Sequence, residues 1–368
     1  MDKNLNYRNH VQEIRARLDE YQIDAVLCTH EANRFYAAGF HSSGTDGAAL
    51  ITRLNSYYLT DGRYIEAAGK ALESAFELHA VRADRKYTDI LKELFEAENI
   101  KRVGFEDAYM TVEQYKNYCE KLPEIEFVPA ADLLKNLRRV KDQEEIKNLK
   151  AAQRIAEKAL QDILKEIRPG VSEREIAARI EYLLLHYGAE NKSFDPIVVS
   201  GANGSLPHGV PSDKIIKSGE FVTMDFGCIF HGYCSDMTRT VAVGEVSDKM
   251  REIYNIVLNA QTAGINAVHA GVTGQEIDAA AREVIRAAGY GEYFSHSFGH
   301  GVGIEIHEEP YAASSNKNPM PAGAVISAEP GVYIPGELGV RIEDVIIITE
   351  NGCENLTAAP KDLLVLPV

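Results

Sequence analysis

The sequence predicts two domains of mixed class: a smaller N-terminal α/β domain over residues 1–135 and a larger α+β domain over residues 136–368. Three observations predict this. Strand and helix signals alternate in short steps through about the first 130 residues. From about residue 140, long amphipathic helices alternate with strand hairpins, as when helices pack on one face of a mostly antiparallel sheet. Finally, 368 residues is long for a single core.

Val11, Ile14 and Leu18 space a helix over residues 8–21, and DAVLC at 24–28 follows as a short buried strand. AALIT at 48–52 and SYYLT at 56–60 flank a polar Arg-Leu-Asn turn and read as a hairpin. TDGRY at 60–64 leads into a helix reaching about Ser74, and a further helix over about 87–98 precedes a strand at Arg102–Phe105. No GxGxxG, Walker loop or low-complexity tract occurs here, and His41 and His79 read as surface histidines.

The larger domain opens with ADLLKNLRRVKDQEEI, where Asp142 and Glu145 have capping-box spacing. Ile146, Leu149, Gln153, Ala156, Leu160, Ile163 and Ile167 then repeat every three or four residues, a helix of about 25 residues stopped by Pro169-Gly170. Ser172 and Glu175 open a second helix that ends near Gly188. Two more helices are expected over about 247–269 and 274–288, the latter opened by Thr273 and Glu276 and closed by Gly289.

FVTMDFGCIFHGYCSDMTRTVAV, Phe221 to Val243, reads as two apolar strands turning near Phe230, His231 and Gly232. Asp225 and Asp236 are almost equidistant from that turn, so pairing would set them opposite each other. Opposed side chains lie about 4.5–5.5 Å apart, and like charges there are destabilising unless a cation joins them. Two unconnected edge aspartates are the plain alternative for this hairpin alone. A second hairpin, SAEPGVYIPGELGVRIEDVIII, carries Glu329 and Glu343 symmetrically about Gly336. Two acidic pairs in apolar strands are hard to explain as solvated surface, because unpaired buried carboxylates are costly. Between the hairpins, SHSFGHGVGIEIHEEP supplies His296, His300 and His307, with glycines at 299, 301 and 303 that permit a close backbone approach. Four carboxylates and a histidine form a ligand set for two hard or borderline divalent ions.

The balance of 39 basic against 55 acidic residues, −16 at pH 7, argues against nucleic acid or an anionic membrane as the main partner. Cys28, Cys119, Cys228, Cys234 and Cys353 form no CxxC pattern and read as reduced thiols of a cytoplasmic protein. A disulfide between Cys228 and Cys234 across the hairpin is the minority alternative. The first ten residues lack the apolar core of a signal peptide, and no run of 18 apolar residues exists to span a bilayer.

The segments SLPHGVPSD, TMDFG, CSDMTRT, HSFGHGVGIEIHEEP, SAEPGVY and VRIEDV, in that order, resemble the pita-bread metallopeptidase family of methionine aminopeptidase, aminopeptidase P and prolidase. NRFYAAGF and TDGRY look like the accessory domain of its Xaa-Pro-cleaving branch. The resemblance implies a C-terminal pita-bread (creatinase/aminopeptidase) domain behind an N-terminal α/β creatinase-type domain. It implies metal ligands Asp225, Asp236, His300, Glu329 and Glu343, with Asp236 and Glu343 bridging two divalent ions. The carboxylate-rich set favours Mn²⁺, with Zn²⁺ or Co²⁺ as alternatives. Glu329 would take the proton of the attacking water and deliver it to the leaving amine. His307 matches the histidine that hydrogen-bonds substrate near the scissile amide, and His208 the one that stabilises the oxyanion or the leaving nitrogen. His296 and Arg341 match supporting substrate-site positions, whereas His186, His231 and His269 are assigned to the surface or to helix packing. Tyr333 is either a pocket or a core aromatic.

The expected protein is thus a cytoplasmic, homodimeric Xaa-Pro aminopeptidase acting on peptides with proline at position 2. Xaa-Pro dipeptidase (prolidase) is the alternative. Two other classes compete: a catalytically inactive pita-bread module for protein binding, and metal-free, creatinase-like hydrolysis of a small amidine. Retention of all five candidate ligands argues against both.

Overall fold

The computed structural model describes residues 4–72 and 75–368, which fall into two compact units, Met1–Arg138 and Arg139–Val368. The first is built on a six-stranded sheet in the order Glu77–Val81, Ser56–Asp61, Gly47–Thr52, Ala25–Cys28, Arg102–Phe105, Glu126–Pro129. Every residue of AVLC is buried, so this strand can sit mid-sheet, antiparallel to Gly47–Thr52 and parallel to Arg102–Phe105. The expected hairpin forms with Ala49 opposite Tyr58. Leu27, Leu50, Ile90, Leu91, Phe95 and Val103 fill the core beneath it.

The first helix spans Asn4–Arg17 rather than 8–21, because the chain turns after Arg17 to bury Ile23 before the strand. The helix after TDGRY spans Ile65–Leu72, and its expected end near Ser74 lies outside the described residues. His41 is exposed and stacks on Phe35, whereas His79 is not a surface residue: only 14% of its side chain is exposed, 3.0 Å from Glu77.

The second unit holds two helix pairs, each packed on its own sheet. Helices Gln143–Ile163 and Glu173–His186 start at the expected capping boxes, with Asp142 accepting from Glu144 N and Glu145 N and Ser172 from Glu175 N. They bury Ile155, Ile163, Ile180 and Leu184 against Val198, Met224, Phe226 and Val241. Each such side chain contributes about 1.5–3 kcal/mol. The sheet beneath runs Val365–Leu366, Thr238–Val243, Glu220–Asp225, Ile197–Ser200. The first helix stops four residues short of Ile167, because its last turn tightens into i−3 bonds at Lys165 and Glu166 ahead of Pro169.

Helices Asp248–Asn266 and Gly274–Ala287 pack through Ile253, Val257, Ile277 and Ile285 onto Ile326, Ile346 and Ile348. Their sheet runs Glu308–Ala312, Gly299–Gly301, Val325–Ala328, Asp344–Thr349, Gly352–Asn355. The first acidic hairpin thus borders the four-stranded sheet and the second the five-stranded sheet. No helix among the described residues is long and apolar enough to cross a membrane.

Candidate active site

The first hairpin departs from the expected register. His231 and Gly232, with φ of 47° and 78°, form its two-residue turn, so Phe230 pairs with Tyr233 and Asp225 with Thr238, not with Asp236. Asp236 falls in a break between Tyr233–Cys234 and Thr238–Val243, opposite Gly227. A Cβ on Gly227 would lie 1.9 Å from Ser235 O, so only glycine allows that crossing. The two aspartates meet diagonally across the break. Cys228 stands opposite Ser235 rather than Cys234, and all five cysteines are free.

The second hairpin keeps the expected symmetry. Gly331 pairs with Arg341 on one side and Ala328 with Asp344 on the other, so the intervening Glu329 and Glu343 face each other. His300 projects from Gly299–Gly301, whose glycines pass against neighbouring strands: a Cβ at 299 would lie 2.0 Å from Ser327 O, and one at 301 would lie 2.4 Å from Glu308 O. The structure thus brings all four carboxylates and His300 together.

His300 Nε2 lies 3.2 Å from Glu329 Oε1 and 3.6 Å from Asp236 Oδ2, while Nδ1 donates to Gly301 O at 3.1 Å. Burial opposes charge on His300, but Glu329 and Asp236 outweigh it and push the imidazole up to about 9. Burial likewise opposes charge on Glu329, yet the His300 hydrogen bond and charge hold it down to about 2. Burial first, then the neighbouring carboxylates, hold Asp236 and Glu343 well above the usual carboxylate range. Asp225 is raised by burial, moderated by Arg341, whose Nη2 donates to Oδ2 at 2.6 Å.

Two observations test the fit to metal ions. Asp225 Oδ1 and Glu343 Oε1 are buried without a hydrogen-bond partner among the described residues. Asp236, His300 and Glu343 offer ligand atoms within 4.8 Å of one another. Oxygen-rich donors with one imidazole suit divalent ions, and the Nδ1–H bond to Gly301 O turns Nε2 toward Glu329 and Asp236, so Nε2 is the ring atom that would ligate an ion. Such ions supply Lewis acidity toward a carbonyl oxygen and acidify water.

The cluster lines a cavity of about 510 Å³ shared with His208, His296, His307, Tyr333 and Arg341, so every expected site residue borders one space. His307 stands edge-on to His300 at 4.2 Å between ring centres, and burial, then the His300 charge, lowers its pKa. Burial lowers the pKa of His296, whose Nδ1 donates to Ser297 O and whose Nε2 lies 2.9 Å from Tyr333 OH. Arg341 donates to Tyr333 OH, Pro207 O and Thr238 Oγ1 as well as to Asp225. His231, His269 and His186 are exposed and lie outside this cavity.

Four residues support the site: Tyr333, whose pocket alternative the structure bears out, and Thr238, Ser327 and Gln153, to which the sequence assigns no site role. Tyr333 links His296 to Arg341, and Thr238 donates to Glu343 Oε2 at 2.7 Å. Ser327 donates to Glu329 at 3.0 Å, and Gln153 holds the backbone of Asp236. Gln153 did leave a signal: an amide in an otherwise apolar helix stripe needs a polar partner.

A buried, carboxylate-rich pocket with two uncommitted oxygens defines a metal-dependent hydrolase. The chain belongs to the metallopeptidase family M24, whose pattern matches residues 147–350, preceded by a creatinase/prolidase N-terminal domain over residues 10–140. It is a metallo-exopeptidase with the pita-bread fold. The Xaa-Pro dipeptidase of Pyrococcus furiosus is 40% identical over 350 residues, 94% of this chain and 97% of that one. The structure of an Xaa-Pro dipeptidase from Bacillus anthracis superposes with a TM-score of 0.92 at 45% identity, covering 98% of this chain and 100% of that one. An X-Pro aminopeptidase from Thermotoga maritima superposes with a TM-score of 0.89 at 37% identity, covering 95% and 99%.

Proposed function

We propose that the protein is an Xaa-Pro dipeptidase acting through two divalent ions, with Mn²⁺ as the favoured metal. The observation that carries the reading is the convergence of Asp225, Asp236, His300, Glu329 and Glu343 in one cavity, with two carboxylate oxygens left uncommitted. The sequence resemblance puts aminopeptidase slightly ahead, but relatives at 40% and 45% identity carry the dipeptidase name and favour the alternative. The aminopeptidase of Thermotoga maritima keeps the second reading open.

Asp225 would hold one ion, Asp236 and Glu343 would lie between the two, and His300 with Glu329 would complete the second. Glu329 accepts the proton of the attacking water and returns it to the leaving proline nitrogen. His307, edge-on to His300 in the cavity wall, hydrogen-bonds the substrate near the scissile amide. His208 steadies the oxyanion or the leaving nitrogen. His296 is held by Tyr333 at the cavity wall, and Arg341 fixes Asp225 while bordering the substrate space. An Xaa-Pro amide has no N–H, so recognition rests on shape and on donors to its carbonyl. A homodimer is part of the same proposal, to be measured by light scattering.

The test compares Gly-Pro and other Xaa-Pro dipeptides with Xaa-Pro-Yaa-Zaa peptides, using the Mn²⁺ form. Higher kcat/KM on dipeptides supports the proposal, and higher kcat/KM on the longer peptides transfers it to aminopeptidase. Activity untouched by a chelator would remove the metal from the reading.

A further inference from the structure

Glu173 is fully buried at the start of helix Glu173–His186 and is not among the residues that line the cavity. A buried carboxylate without donors would be strongly destabilising. This one is surrounded by them. Oε1 accepts from Ser200 N at 2.7 Å and Ser200 Oγ at 2.9 Å, and Oε2 from Ser212 Oγ at 2.6 Å and Ser212 N at 3.2 Å. Asn203 Nδ2 reaches both oxygens, at 3.2 and 3.1 Å. The backbone joins in, with Glu173 N donating to Lys214 O and Arg174 N to Ser212 O.

These donors bracket one loop. Ser200 ends strand Ile197–Ser200, Ser212 follows Pro211, and the chain between them supplies Pro207, His208, Gly209, Val210 and Pro211 to the cavity wall. Its middle has other supports. Gly204 presses on Gly339 so closely that a Cβ there would lie 1.8 Å from Gly204 O, and Pro207 O accepts from Arg341 Nη1 at 3.2 Å. His208 itself is exposed, in a turn closed by Gly209 N donating to Leu206 O. Its place over the cavity is therefore set by where the loop is tied.

We propose that Glu173 is a positioning residue for His208: its single carboxylate ties both ends of loop 201–211 and so fixes the pitch at which His208 meets the substrate. This rests on the role given to His208 above. Charge-assisted bonds suit the task, being shorter and stronger than neutral ones. Glutamine cannot replace the carboxylate, because its NH₂ would face a donor at one end of the loop.

The test uses the metal-loaded enzyme and the variants E173Q, S212A, H208A and their double combinations. E173Q is expected to lower kcat/KM on an Xaa-Pro substrate about 10²-fold, the scale of a 1 Å misplacement, with unchanged Mn²⁺ stoichiometry. In the H208A background the same change should cost less than about 2-fold, since its effect passes through His208. S212A, which removes one donor and keeps the carboxylate, should show a smaller loss and the same coupling, and it decides the matter should E173Q fail to fold. Fully multiplicative losses, or wild-type kcat/KM in a folded E173Q, would overturn the proposal. Hydrogen exchange gives a second readout: peptides within 201–211 should exchange faster in E173Q while 220–243 and 325–345 keep wild-type protection. Unchanged exchange in the loop also overturns it. A wild-type enzyme that cleaves no Xaa-Pro peptide would refute the proposed function, and the exchange data would still decide what Glu173 does.

Discussion

Gln153 grips Asp236 by both of its backbone groups, Nε2 donating to the carbonyl at 3.2 Å and Oε1 accepting from the amide at 3.4 Å. The side-chain amide thus stands in for a strand partner where the hairpin ladder is broken. Both groups are buried, so an apolar replacement leaves two unsatisfied backbone atoms beside a candidate ligand. Gln153→Leu should weaken Mn²⁺ binding roughly 10- to 100-fold, the usual scale for lost outer support of a metal ligand. Titration calorimetry checks this. A lower Tm with unchanged affinity would make Gln153 a packing residue only.

Metal removal should have a pH-dependent effect on stability. Asp236 and Glu343 are held well above the ordinary carboxylate range, so the metal-free fold keeps protons there that the unfolded chain releases above about pH 4. Their contribution to stability falls as pH rises. His300, at about 9, acts in the same sense, its stabilisation full below the ordinary histidine value and lost through about 9. Glu329, held at about 2, stabilises the fold above the usual carboxylate range and adds no slope there. On the proposed assignment Mn²⁺ would replace those protons, so the Tm rise on adding it should be larger at about pH 8 than at about pH 5.5. An equal or larger rise at the lower pH would contradict this charge pattern.

Arg341 and a metal ion would both neutralise Asp225, and that redundancy is measurable. Without metal, Arg341→Met leaves a buried carboxylate without its 2.6 Å partner, a loss of about 3–5 kcal/mol. With metal bound, a second cation faces the same group and the loss should be smaller. Urea unfolding of both forms tests the difference. Equal losses would mean that Asp225 does not face the ion.

Much of this architecture was legible because certain residues carry local geometry. Asp142, Ser172 and Thr273, each followed three residues later by glutamate, marked three helix starts that the structure reproduces. Symmetry about Gly336 set Glu329 against Glu343 because a glycine at φ 73° marks a turn unambiguously. The first hairpin turns one residue later than its sequence symmetry implies: the turn uses His231 at positive φ, and nothing in a histidine announces that conformation. Strand Glu77–Val81 went unnoticed because it edges its sheet and is only partly buried. Sequence alone leaves Tyr333 between pocket and core and places Gln153 in a helix stripe, because their roles depend on partners more than 35 positions away or across two elements. Such pairings exist only once the hairpins have closed.

The first hairpin also offers a test that links stability to the candidate ligands. Gly227 stands opposite Asp236, and a Cβ there would meet Ser235 O at 1.9 Å and Ser193 Oγ at 2.4 Å. The serine hydroxyl can rotate away, but the carbonyl belongs to backbone that leads directly into Asp236. Gly227→Ala should therefore force the strand apart, costing roughly 1–3 kcal/mol, the range for overpacking. Because the displaced backbone carries Asp236, Mn²⁺ affinity should fall with it. Gly352→Ala is the matched control: nothing lies within 4 Å of its added Cβ, and both stability and affinity should stay at wild-type levels. Urea unfolding and metal titration on both variants separate the outcomes. A destabilised Gly227→Ala that binds Mn²⁺ normally would show that the ligand geometry does not depend on this crossing.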